Sequence, residues 1–197
     1  MKKYELTEET VTVYGKTLYR IRAVRDFGSV KTGEFGGYIE KEENLSHFGN
    51  AWVSGNAWVF DNARVYDNAW VFGDAKVYGD AWVFGNAWVF GNAKVYDDAW
   101  VCGDAKVYGD AWVSGNAEVF NTMHFFVQGP IGSRNGFITF YRTKDDTVEV
   151  RCGCFSGSLQ EFVNQVEETH GGSRYEKEYK LAAELAKVCI RLEGESR

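Results

Sequence analysis

Apolar residues in the middle of the chain recur every six positions. Alanine occupies twelve successive positions at this spacing, from Ala51 to Ala117, and a valine follows each of them two residues later, from Val53 to Val119. Alternate side chains of an extended strand share a face, so each alanine and valine points inward and the residue between them points outward. The pattern predicts short strands coiled around a core of alanine and valine.

The remaining positions of each repeat predict where the chain turns. Gly-Asn, Gly-Asp, Asp-Asn or Asp-Asp precedes each alanine. These residue types tolerate positive φ, and their short polar side chains bond to neighbouring backbone. Each hexapeptide is thus predicted to form one strand and one corner, with successive coils about 4.8 Å apart.

The run Gly49-Asn50-Ala51-Trp52-Val53-Ser54 and its eleven successors resemble the hexapeptide-repeat family over residues 49–120. The match extends more weakly upstream, where Ile39 and Leu45 are in phase with the alanines. The resemblance implies a left-handed parallel β-helix with three hexapeptides per triangular coil, hence about four coils, and assembly into homotrimers. The pattern also resembles uncharacterised hexapeptide-repeat proteins of bacteria and their prophages, which implies a phage-encoded protein.

Three repeats per coil sort the outward residues onto three faces. The first face carries Trp52, Trp70, Trp88 and Lys106, with Phe72 and Phe90 beside them. The second face carries Trp58, Lys76, Lys94 and Trp112, with Tyr78 and Tyr96. The third face carries Arg64, Trp82, Trp100 and Glu118, with Phe84 and Cys102.

The first and third faces are apolar at mid-height, and contiguous exposed aromatic patches usually mark interfaces. We therefore expect self-association through Trp52, Trp70, Trp88, Phe72, Phe90, Trp82 and Trp100. Two alternatives stay open: the tryptophans form ladders that stiffen the coil, or they form a platform for sugars or bases.

The flanks of the coil, which we place at 38–120, predict two smaller units. Residues 1–37 alternate on both sides of Gly15-Lys16 and predict a β-hairpin that caps one end of the stack. Residues 121–197 predict a small α+β domain with three strands and two helices, the first helix opening with the capping box Ser158-Leu-Gln-Glu161. The fold class is thus mainly β.

Composition and charge narrow the function. The net charge is −6, and residues 49–120 hold 4 basic and 9 acidic side chains, which argues against duplex nucleic acid as a partner. No apolar run is long enough to span a membrane, and the N-terminus does not resemble a signal peptide, so we expect no membrane association and a cytoplasmic location, in the host cell if the protein is phage-encoded. Four scattered cysteines are expected to be reduced thiols.

The chain lacks the usual catalytic signatures of this fold. Acyltransferases with such a coil use a histidine base, yet residues 49–120 contain no histidine; carbonic anhydrases of the fold need a histidine cluster, yet His47, His124 and His170 lie in three different regions. Turn aspartates are explained by corner geometry, and Cys152-Gly-Cys154 lacks a second pair. We therefore expect no catalytic residues, no metal and no cofactor.

The segment Gly129-Pro-Ile-Gly-Ser-Arg-Asn-Gly136 places three glycines, a hydroxyl, a guanidinium and an amide between two predicted strands. Exposed N–H groups together with Arg134 are suited to a phosphate or carboxylate, although an ordinary connecting loop is the alternative. The candidate ligand-binding residues are Gly132, Ser133, Arg134, Asn135, Arg142, Arg151 and Arg174, with His170 as a further neighbour.

The leading hypothesis is a non-catalytic oligomeric binding protein. It would sequester an anionic, nucleotide-like signal or block a host defence protein. The alternatives are an acyltransferase with an atypical active site and a purely structural phage component.

Overall fold

The computed structural model describes residues 2–193, and its main body is a parallel β-solenoid of about 5 stacked turns. Strands 18 residues apart pair in parallel, so Val59 lies in register with Val77 and Val77 with Val95. The expected three repeats per turn and three faces are therefore confirmed. The turns number about 5 instead of about four because Ile39 pairs with Val59 and Leu45 bridges to Val65, which adds a turn below the regular repeats.

The strands and helices have the following bounds. The N-terminal strands are β1 (Tyr4–Val13), β2 (Lys16–Ala23) and β3 (Phe35–Ile39). The coil strands are β4 (Trp52–Val53), β5 (Trp58–Val59), β6 (Arg64–Val65), β7 (Trp70–Val71), β8 (Lys76–Val77), β9 (Trp82–Val83), β10 (Trp88–Val89), β11 (Lys94–Val95), β12 (Trp100–Val101), β13 (Lys106–Val107), β14 (Trp112–Val113) and β15 (Glu118–Val119). The C-terminal elements are β16 (Phe125–Ile131), β17 (Gly136–Arg142), β18 (Val148–Cys152), β19 (Phe155–Ser158), α1 (Leu159–His170) and α2 (Arg174–Cys189).

The core and the corners of the coil follow from the repeat. All twelve alanines and all twelve valines of the repeats are buried. At the corners, one coil lies so close to the next that a Cβ added at Gly79 would come within 2.8 Å of the backbone nitrogen of Asp97. Gly79 also has a φ of +69°, a conformation that glycine adopts without a steric cost. Glycine at position 79 therefore meets both a conformational and a packing requirement, whereas Asp61, Asp67 and Asp97 adopt a positive φ at other corners.

The predicted N-terminal hairpin forms and joins the coil. Strands β1 and β2 are antiparallel around Tyr14 and Gly15, both with positive φ, and β2 pairs with β3 at the start of the second face's sheet. At the open end of the coil, the Lys3 ammonium donates to the carbonyl oxygen of Ala51 at 2.7 Å. Lys3 thus donates to a backbone carbonyl group that receives no hydrogen bond from a preceding coil strand in the described residues.

The expectation that Trp52 belongs to an exposed aromatic interface is wrong. Trp52 is fully buried, because the rings of Phe27 and Tyr4 cover it at centroid distances of 5.3 and 6.5 Å. The indole belongs to the cap at the first end of the coil and is not available to a partner.

The C-terminal sheet has four strands, not the predicted three. Gly153, with a φ of +58°, turns the chain so that Phe155 pairs with Cys152, and β19 follows as the edge strand. The short stretch Phe155-Ser-Gly-Ser lacks the apolar alternation by which strands are recognised. The predicted helices are confirmed, and Ser158 and Glu161 form the capping box of α1.

Strand β17 contributes side chains to two of the hydrophobic cores of the described chain. Tyr141 lies in the core of the coil, whereas Ile138 and Phe140 pack in a second core with α1 and α2. The hydroxyl of Thr139 accepts a hydrogen bond from the backbone N–H of Trp112 at 3.0 Å. The C-terminal sheet therefore closes the second end of the coil.

The buried Arg142 connects the C-terminal domain to the coil through ion pairs with carboxylates that are partly exposed. Arg142 is only 2% exposed. Its guanidinium donates hydrogen bonds to Glu118 on β15 at 2.8 Å, to Asp146 at 2.7 Å and to Glu193 at 3.0 Å. Three carboxylates thus surround one cation, and each ion pair draws a different segment toward β17.

We expect Arg142→Met to lower the free energy of unfolding by about 3 kcal/mol, because it removes a buried cation that three carboxylates share. Urea denaturation followed by circular dichroism measures this difference. The matched control is Arg174→Met, which breaks an exposed ion pair with Glu178 on one helix and is expected to cost about 0.5 kcal/mol or less. Equal losses in the two variants would contradict this role of Arg142.

Candidate functional site

A groove of about 910 Å³ lies where the second face of the coil meets the C-terminal domain. Strands β11 and β14 form one wall, and β17, β18, α1 and α2 form the other. The volume falls within the range of ligand pockets, about 300–1,000 Å³. The groove is therefore large enough for a small organic molecule.

The coil wall of the groove presents a lysine and a tryptophan. The Lys94 ammonium lies 4.0 Å from the centroid of the Trp112 ring, within the range of a cation–π interaction. Burial and, after it, the positive charge of Lys76 lower the pKa of Lys94. Asp110 borders the same wall, but its carboxylate already accepts a hydrogen bond from the Asn92 amide at 3.1 Å.

The domain wall presents two arginines in different states. Arg151 donates to the hydroxyl of Ser114 at 3.1 Å and to that of Tyr96, so it is held in place by neutral groups. Arg134 is exposed and forms no ion pair with another described residue. Phe137 and Phe155 add aromatic surface to this wall. The groove therefore combines cations with aromatic rings.

Tyr179 borders the groove from α2. Burial, together with the nearby Cys152, raises the pKa of Tyr179 to about 12. The phenol is therefore neutral over the physiological range, and its hydroxyl is able to donate or accept a hydrogen bond.

Part of the glycine-rich segment that was predicted as a loop belongs to a β-strand. Gly129 to Ile131 belong to β16, and only 132–135 form the turn before β17. The Gly132 N–H donates to the Glu178 carboxylate at 2.8 Å, and the Asn135 N–H donates to the Gly132 carbonyl at 3.2 Å. These amides already have acceptors within the chain, so the expected cradle of exposed N–H groups does not form at Gly132 and Asn135.

The structure brings only some of the predicted ligand-binding residues together. Ser133, Arg134, Arg151 and His170 border the groove. Arg142 does not, because its guanidinium is held by three carboxylates. Arg174 lies on the exposed side of α2, beside Glu178 at 3.3 Å. Lys94 and Trp112 were not predicted as site residues. Their position on the second face, which carries two lysines, was the feature of the sequence that could have indicated them.

The other two histidines occupy structural positions. His47 stacks on Tyr4 at a centroid distance of 4.3 Å under the N-terminal segment. His124 is buried against Phe120, and burial, followed by the charge of Arg142, lowers the pKa of His124 to about 4. Neither side chain borders the groove.

Most of the outward tryptophans of the coil, though not Trp70, stack with another tryptophan or with a cation. Trp82 and Trp100 stack at 5.5 Å, and Phe72 and Phe90 stack at 4.9 Å. The cation–π pairs along the coil are Arg64 on Trp82, Lys76 on Trp58, Lys94 on Trp112, Lys106 on Trp88 and Lys144 on Trp100. These contacts give the ladders a role within one chain, while self-association through Trp70, Trp88, Phe72, Phe90, Trp82 and Trp100 stays a prediction.

Two further findings apply to residues 2–193. In this part of the chain, no group of three or more His, Cys, Asp or Glu side chains is arranged to hold a metal ion. No helix of these residues has the length and apolar character to cross a membrane.

In comparisons with protein-family models and with curated proteins, no family model and no curated protein matches this chain.

We expect Gly132→Ala to destabilise the domain wall of the groove by about 1–3 kcal/mol. The alanine Cβ would lie 1.8 Å from the Tyr179 hydroxyl oxygen, and the φ of Gly132 is +72°. Chemical denaturation measures the loss, and near-ultraviolet circular dichroism reports the displaced tyrosine. In Gly136→Ala, the matched control, the added Cβ meets no atom within 4 Å, so a similar loss there would show that the contact with Tyr179 is not the cause.

Proposed function

We propose that this protein is a non-catalytic binding protein that holds an anionic small molecule with an aromatic ring in the groove. The observation that carries the proposal is the set of cations at the groove. Lys94 lies on an aromatic ring, Arg151 bonds to two hydroxyls, and Arg134 has no carboxylate partner among the described residues. None of these three cations forms an ion pair with another described residue, whereas Arg142 is paired with carboxylates, so the unneutralised charge of the groove favours an anion.

The aromatic rings at the groove favour a ligand with a planar ring. Trp112, Phe137 and Phe155 border it together with the cations. A base or similar ring gains roughly 1–3 kcal/mol by stacking on an aromatic side chain. An anionic group joined to an aromatic ring describes a nucleotide, which supports sequestration of a nucleotide-like signal as the biological role.

The coil acts in this proposal as a rigid support for one wall of the site. Lys94 and Trp112 are on adjacent strands of a continuous parallel sheet, in register with each other. Self-association through the first and third faces would leave the second face open, so trimer formation and ligand binding are compatible.

Isothermal titration calorimetry with a panel of mononucleotides, cyclic dinucleotides and dinucleotides tests the proposal. We expect at least one of them to bind, and Arg134→Gln and Phe137→Ala each to weaken it by about tenfold or more, because a charged hydrogen bond or a stacked ring is lost. Phosphorus nuclear magnetic resonance spectra recorded after incubation of the nucleotide with the protein should show the nucleotide unchanged.

Arg22→Gln is the matched control, because Arg22 lies on β2 and pairs with Glu5, far along the coil from the groove. Equal affinities for Arg134→Gln and Arg22→Gln would contradict the groove as the binding site. Conversion of the nucleotide during incubation would contradict a non-catalytic role.

A further inference from the structure

Two lysines of the second face stand directly beside each other. Strands β8 and β11 are parallel, and Lys76 and Lys94 are paired in register. Neighbouring strands lie about 4.8 Å apart, and like charges opposite each other across strands are destabilising. The coil therefore places two like-charged side chains on adjacent strands.

Tryptophans fix this arrangement from both sides. The Lys76 ammonium lies 4.1 Å from the centroid of Trp58, and that of Lys94 lies 4.0 Å from the centroid of Trp112. The column along the second face thus runs tryptophan, lysine, lysine, tryptophan, and each lysine is paired with the ring on its outer side. Both side chains are half-buried, and each ammonium lies beside its own tryptophan.

The acidic corner residues of this column form no ion pair with the two lysines. Asp74 precedes Lys76 and Asp110 precedes Trp112, and their carboxylates accept hydrogen bonds from the amides of Asn56 and Asn92, each at 3.1 Å. Neither Lys76 nor Lys94 forms an ion pair in the chain between residues 2 and 193. Both ammoniums are thus without an ion-pair partner among the described residues, next to a groove that Lys94 borders.

We propose that Lys76 and Lys94 together bind one phosphate group of the groove ligand, which makes that ligand an organic phosphate with its ring directed toward Trp112 and Phe137. This inference rests on the function proposed above. A phosphate has several strong acceptor oxygens and its charge exceeds one at neutral pH, so one group satisfies two ammoniums. Lys94 belongs to the groove and Lys76 lies one coil below, so the phosphate occupies the end of the groove that opens onto the second face.

The first face supplies a comparison within the same chain. Lys106 lies 5.0 Å from the centroid of Trp88 and is paired in register with that tryptophan, not with a second lysine. A lysine on a tryptophan is therefore a general feature of the coil, whereas the adjacent pair is particular to the second face.

The experiment compares adenosine 5′-monophosphate with adenosine by calorimetry in the wild type and in Lys76→Gln, Lys94→Gln and Lys106→Gln. We expect the preference for the phosphorylated ligand to fall about tenfold or more in the first two variants, because each loses a charge-assisted contact, and to be unchanged in the third. Loss through misfolding is distinguished by the far-ultraviolet circular dichroism spectrum and the thermal unfolding midpoint, which should match those of the wild type.

A second measurement isolates the phosphate subsite. Inorganic phosphate should shift the side-chain nuclear magnetic resonances of Lys76 and Lys94 and leave those of Lys106 in place. If phosphate produces these shifts but no nucleotide binds, the subsite stands and the nucleotide ligand of the proposed function is wrong. If adenosine 5′-monophosphate binds and Lys76→Gln weakens it no more than Lys106→Gln, the subsite is overturned and the proposed function stands. No shift with either ligand overturns the subsite.

Discussion

The whole molecule depends on the backbone hydrogen bonds between successive coils. The N–H of one residue donates to the carbonyl 17 positions later, as from Trp58 to Ala75 at 2.9 Å and from Lys76 to Ala93 at 2.9 Å. Through the regular repeats this register requires 18 residues in each turn and interior side chains of constant size, whereas the first turn is two residues longer, with Ile39 opposite Val59. The repeat of alanine and valine meets both conditions, and the columns of outward residues are its consequence.

A stack of this kind has two open ends, and the flanking segments close them differently. At the first end, Lys3 and the rings over Trp52 supply a donor and apolar cover. At the second end, β17 lies across the last coil, Thr139 accepts from Trp112, and Arg142 gathers carboxylates from three segments. The second closure leaves a recess on one side of the coil, and the groove is that recess. The candidate site is thus a product of how the solenoid is terminated.

The coil was predictable from sequence because its signal is local and repeated twelve times. Even the grouping of Lys76 with Lys94 followed from counting 18 residues. The burial of Trp52 and the capture of the Gly132 N–H by Glu178 were not predictable, since each depends on a contact between segments 25 or more residues apart that no periodicity links. Arg142 shows the same limit: its residue type indicated anion binding, but the anions are carboxylates of the chain itself.

The 18-residue period also fixes how the two ends of the coil are oriented relative to each other. Both the N-terminal hairpin and the groove belong to the sheet of the second face, in the order β1, β2, β3, β5, β8, β11, β14. Adding or removing one complete turn would change the separation of the two ends by about 4.8 Å and keep them on the same side. Adding or removing a single hexapeptide would rotate one end by a third of a turn and place the C-terminal domain over another column. In a protein built this way, length can change only in whole turns if the hairpin and the groove are to share a face.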